Sequence, residues 1–416
     1  MRIRSVQAHL LSYVFPQPIE LSFHGGSRQI LKRDAMLIRV ETDSGLVGYG
    51  PGPGSEDAGR RINTTIAAWL VGRLLGDIDA LRVQFQQSLR PDPLNAKLYG
   101  TVEVALYDLL GKAQGVPVSE LLGGRIRDRI KCYGSAGMYQ SPEGYAAEAA
   151  LCQQLGFPAY KMRPAAGPEA DVAAVKAMRA ATSPEFGLMV DAHAWWRMGD
   201  HSYSPETVHR VAEQMAESEL TWLEEPLPPA DHPAYRKFRD AGLVPVASGE
   251  HEPSQDGFLD LIEGGCVDYV QMDVVCQGGY AMGRRIFDAV EHEDLRFAFH
   301  AWGSDLELVA AAQLGVCWPE QVVEWLEYPL YSQPGRQFMY EFPLATEMLR
   351  DPLIIESGEL VVPHSPGLGV DIDERVIEKF PWVPGPWSYF TLLSPPSRFA
   401  VTGDHAVTGL DPDLHR

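Results

Sequence analysis

From about residue 130 the chain repeats one pattern: a short apolar run, a polar loop, an amphipathic stretch of about ten to fifteen residues, then another apolar run. The runs end near CYGSAG, AYKMR, GLMVDAH, WLEEP, VPVASGE, YVQMD, FAFH and VVEWLE. Between them, stretches such as PEADVAAVKAMRAAT and ETVHRVAEQMAES carry helical periodicity. Eight strands at helix-filled intervals predict a closed α/β barrel, for which about 250 residues is typical. An open, doubly wound sheet is the competing arrangement, but no glycine-rich phosphate fingerprint follows any of the runs.

Seven of the strand ends carry an ionisable residue: Lys161, Asp191, Glu224, Glu250, Asp273, His300 and Glu327, at intervals of 30, 33, 26, 23, 27 and 27. The C-terminal strand ends of a barrel ring one pocket, so groups scattered in sequence would meet in space. Any one of them could equally be a helix cap or a loop charge; the series is what points to a site. In VDAHAWW, alternation along an extended segment puts Asp191 and His193 on the same side. Asp191, Glu224 and Glu250 cannot share a pocket as anions without a cation. Hard oxygen ligands in that number suit Mg²⁺, with Mn²⁺ as a substitute. Asp273 and His300 stand on neighbouring strands, where the carboxylate would fix the imidazole tautomer and leave the other nitrogen to take a proton.

The remainder of the 416 residues predicts a second domain or a module appended to one large barrel. The first 60 residues read as β-rich, with Thr42-Asp43-Ser44-Gly45 as a hairpin turn and IELSFHGGSRQILKR as a flexible glycine-containing loop. Residues 61–125 turn helical and end in TVEVALYDLLGKAQGVPVSELLGG, a packed helix closed by Gly111 or Gly115. Beyond about residue 365 the chain is rich in proline and aromatics, and either packs back on the first unit or frays.

No apolar run approaches the roughly 20 residues of a membrane helix, and MRIRSVQAHLLSY lacks the h-region and cleavage site of a signal peptide. A cytoplasmic protein is the expectation. The five cysteines have no CxxC spacing and imply neither a disulfide framework nor a zinc ribbon. A net charge of −21 disfavours nucleic-acid and anionic-membrane partners. An enzyme for anions would therefore need local positive charge, from a metal or from Lys and Arg.

ALYDLLGKAQGVPVSELLGG, the Lys-x-Arg of Lys161 and Arg163, the WLEEP and SGE strand ends, and the Asp273–His300 pair together resemble the mandelate racemase subgroup of the enolase superfamily. The resemblance covers roughly residues 1 to 370. It implies a (β/α)7β modified TIM barrel over residues 129–365, beneath an N-terminal α+β capping domain of residues 1–128 completed by about 366–416. It implies Mg²⁺ held by Asp191, Glu224 and Glu250, and a homo-oligomer, dimer or octamer. The chemistry it implies is removal of the proton α to a carboxylate, giving an enediolate stabilised by the metal and by Lys161 or an acidic Glu327.

One departure from that family narrows the expectation. Mandelate racemase itself has Lys-x-Lys, the second lysine being one of two opposed bases, where this chain has Arg163. Arginine, with a pKa above about 12, is a poor acid or base and a good bidentate partner. Sugar-acid dehydratases resembling galactonate dehydratase carry Asp-x-His at the third strand, which would make His193 the acid that protonates a departing 3-hydroxyl while His300 removes the 2-proton. His24 and Arg28 in the glycine-containing loop, with Trp196, Arg197 and Trp302, are candidates for binding distal hydroxyls, or else exposed loop residues and packing under the cap. His251 would point away from Glu250 if alternation held that far.

The expected activity is Mg²⁺-dependent dehydration of a sugar acid, an aldonate, to its 2-keto-3-deoxy product, with a small-molecule acid sugar as the only partner. Within the same superfamily the alternative is a racemase, epimerase or cycloisomerase. A glycosidase barrel would account for two of the acids, and a barrel that binds without catalysis leaves Lys161, Asp273 and His300 unexplained.

Overall fold

The computed structural model describes residues 1–88, 92–252 and 254–402; residues 403–416 of the expected C-terminal segment lie outside the described residues. The chain starts with a long antiparallel hairpin, β1 (Ile3–Phe23) and β2 (Gly26–Thr42), paired from Ile3 opposite Thr42 to Phe23 opposite Gly26 with shifts between Ile3 and Ser5 and between Val14 and Ile19. The segment expected to be a flexible loop is thus the far half of this hairpin, turned by His24 and Gly25. Its sequence does alternate, with Ile19, Leu21 and Phe23 separated by Glu20 and Ser22. Pairing across the strands outweighs the glycines that suggested a loop. The turn after Thr42 leads into β3 (Val47–Gly52), which pairs with β2. The helix Pro93–Gln114 packs on β3, with Asp92 as its N-cap and Gly115, not Gly111, as its left-handed C-cap.

The barrel follows. β4 (Arg129–Met138), β5 (Ala159–Arg163), β6 (Gly187–Asp191), β7 (Trp222–Glu224), β8 (Val246–Ser248), β9 (Tyr269–Met272), β10 (Arg296–Phe299) and β11 (Val323–Pro329) run parallel in chain order. β11 pairs back on β4, Trp325 opposite Lys131, and closes the ring. Seven helices, from Pro142–Gln154 to Asp305–Gly315, fill the intervals. Eight strands with seven helices make the (β/α)7β form. A short hairpin, β12 (Ile355–Glu356) and β13 (Glu359–Val361), runs antiparallel to β4.

The last described strands, β14 (Ser388–Leu393) and β15 (Pro396–Val401), return to the start of the chain. β14 pairs with β2, Ser388 opposite Ile30 and Leu392 opposite Gly26, so the segment packs back rather than frays. Among the described residues no helix is long and apolar enough to cross a membrane. All five cysteines are free thiols, four of them buried.

Candidate active site

The site grows out of the barrel's own register. One layer of inward side chains is Tyr133, Ala159, Met189, Trp222, Ala247, Tyr269, Ala298 and Trp325, an aromatic plug in which large and small residues interlock. Side chains two residues apart share a face of a strand. The next layer up is therefore Ser135, Lys161, Asp191, Glu224, Gln271, His300 and Glu327, a polar floor resting on the plug.

At its centre Lys161, fully buried, donates to Glu224 Oε1 at 2.6 Å and lies 3.1 Å from Glu327 Oε1 and 3.9 Å from Asp191 Oδ2. Glu224 Oε2 accepts from Trp222 Nε1 at 2.9 Å and Gln271 Nε2 at 2.8 Å, and Glu327 from Ser135 Oγ at 2.5 Å. Arg163, a further two residues up β5, pairs through Nε with Asp191 Oδ2 at 3.1 Å and donates through Nη2 to Glu327 Oε1 at 3.0 Å. Its Nη1 bonds Ser135 Oγ and Ala136 O, and its plane stacks 3.6 Å from the Trp302 ring centroid. Burial alone would lower Lys161 and Arg163, but Glu224, Glu327 and Asp191 outweigh it and hold both above their usual values.

Two histidines, His300 of this layer and His193 above it, are each fixed by a carboxylate. His193 Nδ1 donates to Asp191 Oδ1 at 2.6 Å. His300 Nδ1 donates to Asp273 Oδ2 at 3.0 Å, and Asp273 is itself held by the backbone amides of Val275 and Cys276 on Oδ1, at 2.7 and 3.0 Å. Their surroundings differ. For His193, burial outweighs Asp191 and lowers the imidazole pKa; for His300, burial is overcome by Glu250, Asp273 and Glu327, and the pKa rises well above its usual value.

At the fifth strand of the barrel the alternation stops. β8 ends at Ser248, and Gly249 takes φ +135°, where a side chain would be strained and an added Cβ would meet Gln271 O at 2.2 Å. The chain turns there, so Glu250 and His251 both face the cavity, against the expectation that His251 would point away. His251 Nδ1 lies 2.6 Å from Glu225 Oε2 and 3.0 Å from Glu250 Oε1. Glu225 has φ +42°, an uncommon conformation for a non-glycine residue, and its carboxylate also accepts from the His251 amide at 3.2 Å. Burial alone would lower His251, but Glu225 outweighs it and the ring is pushed up to about 9.

The donor atoms crowded within 4.8 Å of one another belong to Glu225, Glu250 and His251 rather than to the expected Asp191, Glu224 and Glu250. Glu224 is drawn down to Lys161, and Asp191 is shared by His193 and Arg163. The three expected carboxylates are not bare anions either, because Lys161, Arg163 and the histidines lie among them. Their chemistry still suits a hard divalent cation. They end or follow consecutive strands. Glu250 Oε2, 3.2 Å from His300 Nε2, is buried and makes no hydrogen bond of acceptable geometry. Burial pushes the Glu224 carboxyl up to about 8, with Asp191, Glu250 and Glu327 adding to it against the pull of Lys161.

The cap closes one cavity of about 140 Å³ over these groups. Asp191, His193, Glu250, Asp273, His300 and Arg163 reach its lining, as do Arg28 and Trp302. Lys161, Glu224 and Glu327 form the floor beneath it. His24 and Trp196 are not in the lining: the His24 ring packs edge-on against His201 at 5.2 Å, and Trp196 Nε1 donates to Glu225 O at 3.0 Å, behind His251. Arg33, Asp34, Tyr139 and Glu307 line the cavity without having been singled out from sequence. The alternation Arg28-Ile30-Lys32 could have pointed to that part of β2, had it been read as a strand.

Residues 6–123 match the family model described as the mandelate racemase / muconate lactonizing enzyme N-terminal domain, and residues 144–376 the one described as enolase C-terminal domain-like. The chain is 27% identical over 393 residues to D-galactarolactone cycloisomerase of Agrobacterium fabrum, covering 91% of this chain and 99% of that protein. It is 29% identical over 374 residues to L-rhamnonate dehydratase of Saccharopolyspora erythraea, covering 83% and 85%. Among solved structures, a member of the enolase superfamily from Polaromonas sp. JS666 matches with a TM-score of 0.80 at 30% identity, covering 93% and 99%.

Proposed function

Because the chain belongs to the enolase superfamily, in the branch of mandelate racemase and muconate lactonizing enzyme, we propose that it removes the proton α to the carboxylate of a sugar acid. The 3-hydroxyl is then expelled, leaving a 2-keto-3-deoxy acid. The observation that carries this reading is the pair of histidines at one cavity, His193 fixed by Asp191 and His300 by Asp273. A β-elimination needs a base for the 2-proton and an acid for the hydroxyl, since hydroxide is too poor a leaving group to depart unassisted at pH 7. His300 is the base and His193 the acid.

Lys161 and Arg163 offer positive charge beside the place where charge develops as the α-proton leaves. Arg163 has its donors committed to Asp191, Glu327, Ser135 and Ala136, and arginine does not titrate near neutral pH. That argues against two-base racemisation. Asp191, Glu224 and Glu250 would hold Mg²⁺, with Mn²⁺ as a substitute. When bound, the cation supplies positive charge that makes the α-hydrogen of a carboxylate easier to remove.

The sugar-acid class is supported by the rhamnonate dehydratase relative. The galactarolactone cycloisomerase relative, matched over 99% of its length, favours a second reading, opening of a sugar-acid lactone. There the leaving group is a carboxylate, which departs without a proton, so a neutral His193 suffices. The test is a screen of aldonates, aldarates and their lactones for 2-keto acid formation with Mg²⁺. Absence of 2-keto product from every acid overturns dehydration, and product from lactones alone selects the second reading.

A further inference from the structure

Three guanidinium groups that the proposed chemistry does not use line the cavity; Arg33 is bonded to the Tyr340 hydroxyl and to Trp302 O, which leaves Arg28 and Arg197. Arg28 on β2 is buried, its guanidinium 4.6 Å from the Trp387 ring centroid and 4.8 Å from that of Phe390, and its Nε has no hydrogen-bond partner. Arg197, four residues past His193, lies 4.2 Å from the Trp196 ring centroid, and both its Nε and Nη2 are buried without a partner. Both side chains line the cavity together with Tyr139, which hydrogen-bonds Arg28. Buried donors on a charged group are costly to leave unpaired. Here the aromatic faces hold the guanidinium planes while Arg28 keeps Nε unpaired and Arg197 a whole Nε–Nη2 edge, and such an edge matches a carboxylate in a bidentate way.

The two arginines come from segments that are pinned together. At the tip of the β1–β2 hairpin the His24 amide donates to Ala165 O at 2.6 Å, and Gly25 O accepts from Leu393 N at 2.9 Å. Gly25 lies so close to the loop after β6 that a Cβ there would stand 2.8 Å from Met198 Cβ. Arg28 and Arg197 are thereby held on either side of this seam. Acids on the same wall do not cancel them: Asp34 accepts from Ser12 at 2.7 Å and pairs with Lys32 at 3.0 Å, and Glu307 has a partner of its own. In a chain of net charge −21, open cationic edges facing a cavity mark where an anion is received.

We infer that Arg28 and Arg197, with Tyr139, form a second anion subsite that takes the distal carboxylate of a dicarboxylic sugar acid. The substrate is then an aldarate, not the aldonate expected from sequence; in a lactone of that acid the far carboxyl is an ester and meets the subsite as an anion only as it leaves. This rests on the proposed function for the first carboxylate, the one beside Lys161 and Arg163.

The test uses two unreactive six-carbon acids that differ only at the far end, adipate and 6-hydroxyhexanoate, titrated calorimetrically into the full-length enzyme with Mg²⁺. Adipate is expected to bind about 10-fold or more tightly. Arg197→Gln and Arg28→Gln should each shrink that ratio to about 3-fold or less, with Arg197→Lys in between. Equal binding of the two acids by the parent enzyme overturns the inference without any variant being needed, and so does a variant that leaves the ratio intact. Turnover separates the two proposals. A subsite that prefers adipate in an enzyme that yields no 2-keto acid overturns the dehydratase and lactone readings alone. Dehydration of aldonates as fast as the matching aldarates keeps dehydration and overturns the subsite.

Discussion

The floor and the cap-side wall of the cavity are both made of buried charge, yet they are built on opposite terms. On the floor every cation has its anion: Lys161 meets Glu224 and Glu327, and Arg163 spends its donors on Asp191, Glu327, Ser135 and Ala136. On the wall, Arg28 Nε and Arg197 Nε and Nη2 have no hydrogen-bond partner. Removing one member of a satisfied buried network strands its partners, whereas an unpaired group has nothing to strand. The floor is therefore a part of the fold that also does chemistry, and the wall is a part of the fold left incomplete for a ligand.

His300 belongs to the floor side, touching Asp273, Glu250 and, at 3.9 Å, Glu327. Its replacement is the largest expected effect. His300→Asn should slow dehydration by up to about 10⁴-fold and stop deuterium entering C2 of recovered substrate in D₂O; continued exchange would move the base elsewhere. Next comes the floor itself. Lys161→Met, which leaves three carboxylates without their shared ammonium, should cost about 3–5 kcal/mol in urea unfolding, and a loss under about 1 kcal/mol would erase the distinction drawn above.

His193→Asn should lower dehydration by about 100-fold or more while exchange at C2 continues and lactone opening survives. Dehydration at the parent rate would release His193 from the acid role and pass it to Lys161 or to the neighbouring His251. The smallest effect sharpens the contrast from the other side. Arg197→Gln should change unfolding free energy by no more than about 1 kcal/mol, in the stabilising direction if anything, and a loss as large as that of Lys161→Met would show that the wall is satisfied after all.

The barrel and its ring were legible in the sequence because both rest on a spacing of two. Trp222 and Glu224, Trp325 and Glu327, and Ala298 and His300 each pair a plug residue with a floor residue on one strand face, and any reading that finds the strands finds the ring. What failed to show was whatever breaks that spacing. His251 faces the cavity only because Gly249 turns the chain. The hairpin around Gly25 and Gly26 was taken for a loop because its pairing partner is supplied across the turn and, through β14, from the other end of the chain. Arg28 belongs to that misread segment, so its place on the wall could not be separated from ordinary packing until the strand pairing was known.

The pairing of β14 with β2 also sets an order of assembly during synthesis. The barrel is finished when β11 meets β4, and all seven strand-end groups have left the ribosome once Glu327 has. The rings on which Arg28 lies, Trp387 and Phe390, come some sixty residues later, and only then can β14 lock the hairpin tip. A nascent chain thus holds all seven strand-end groups before it holds the two rings against which Arg28 lies.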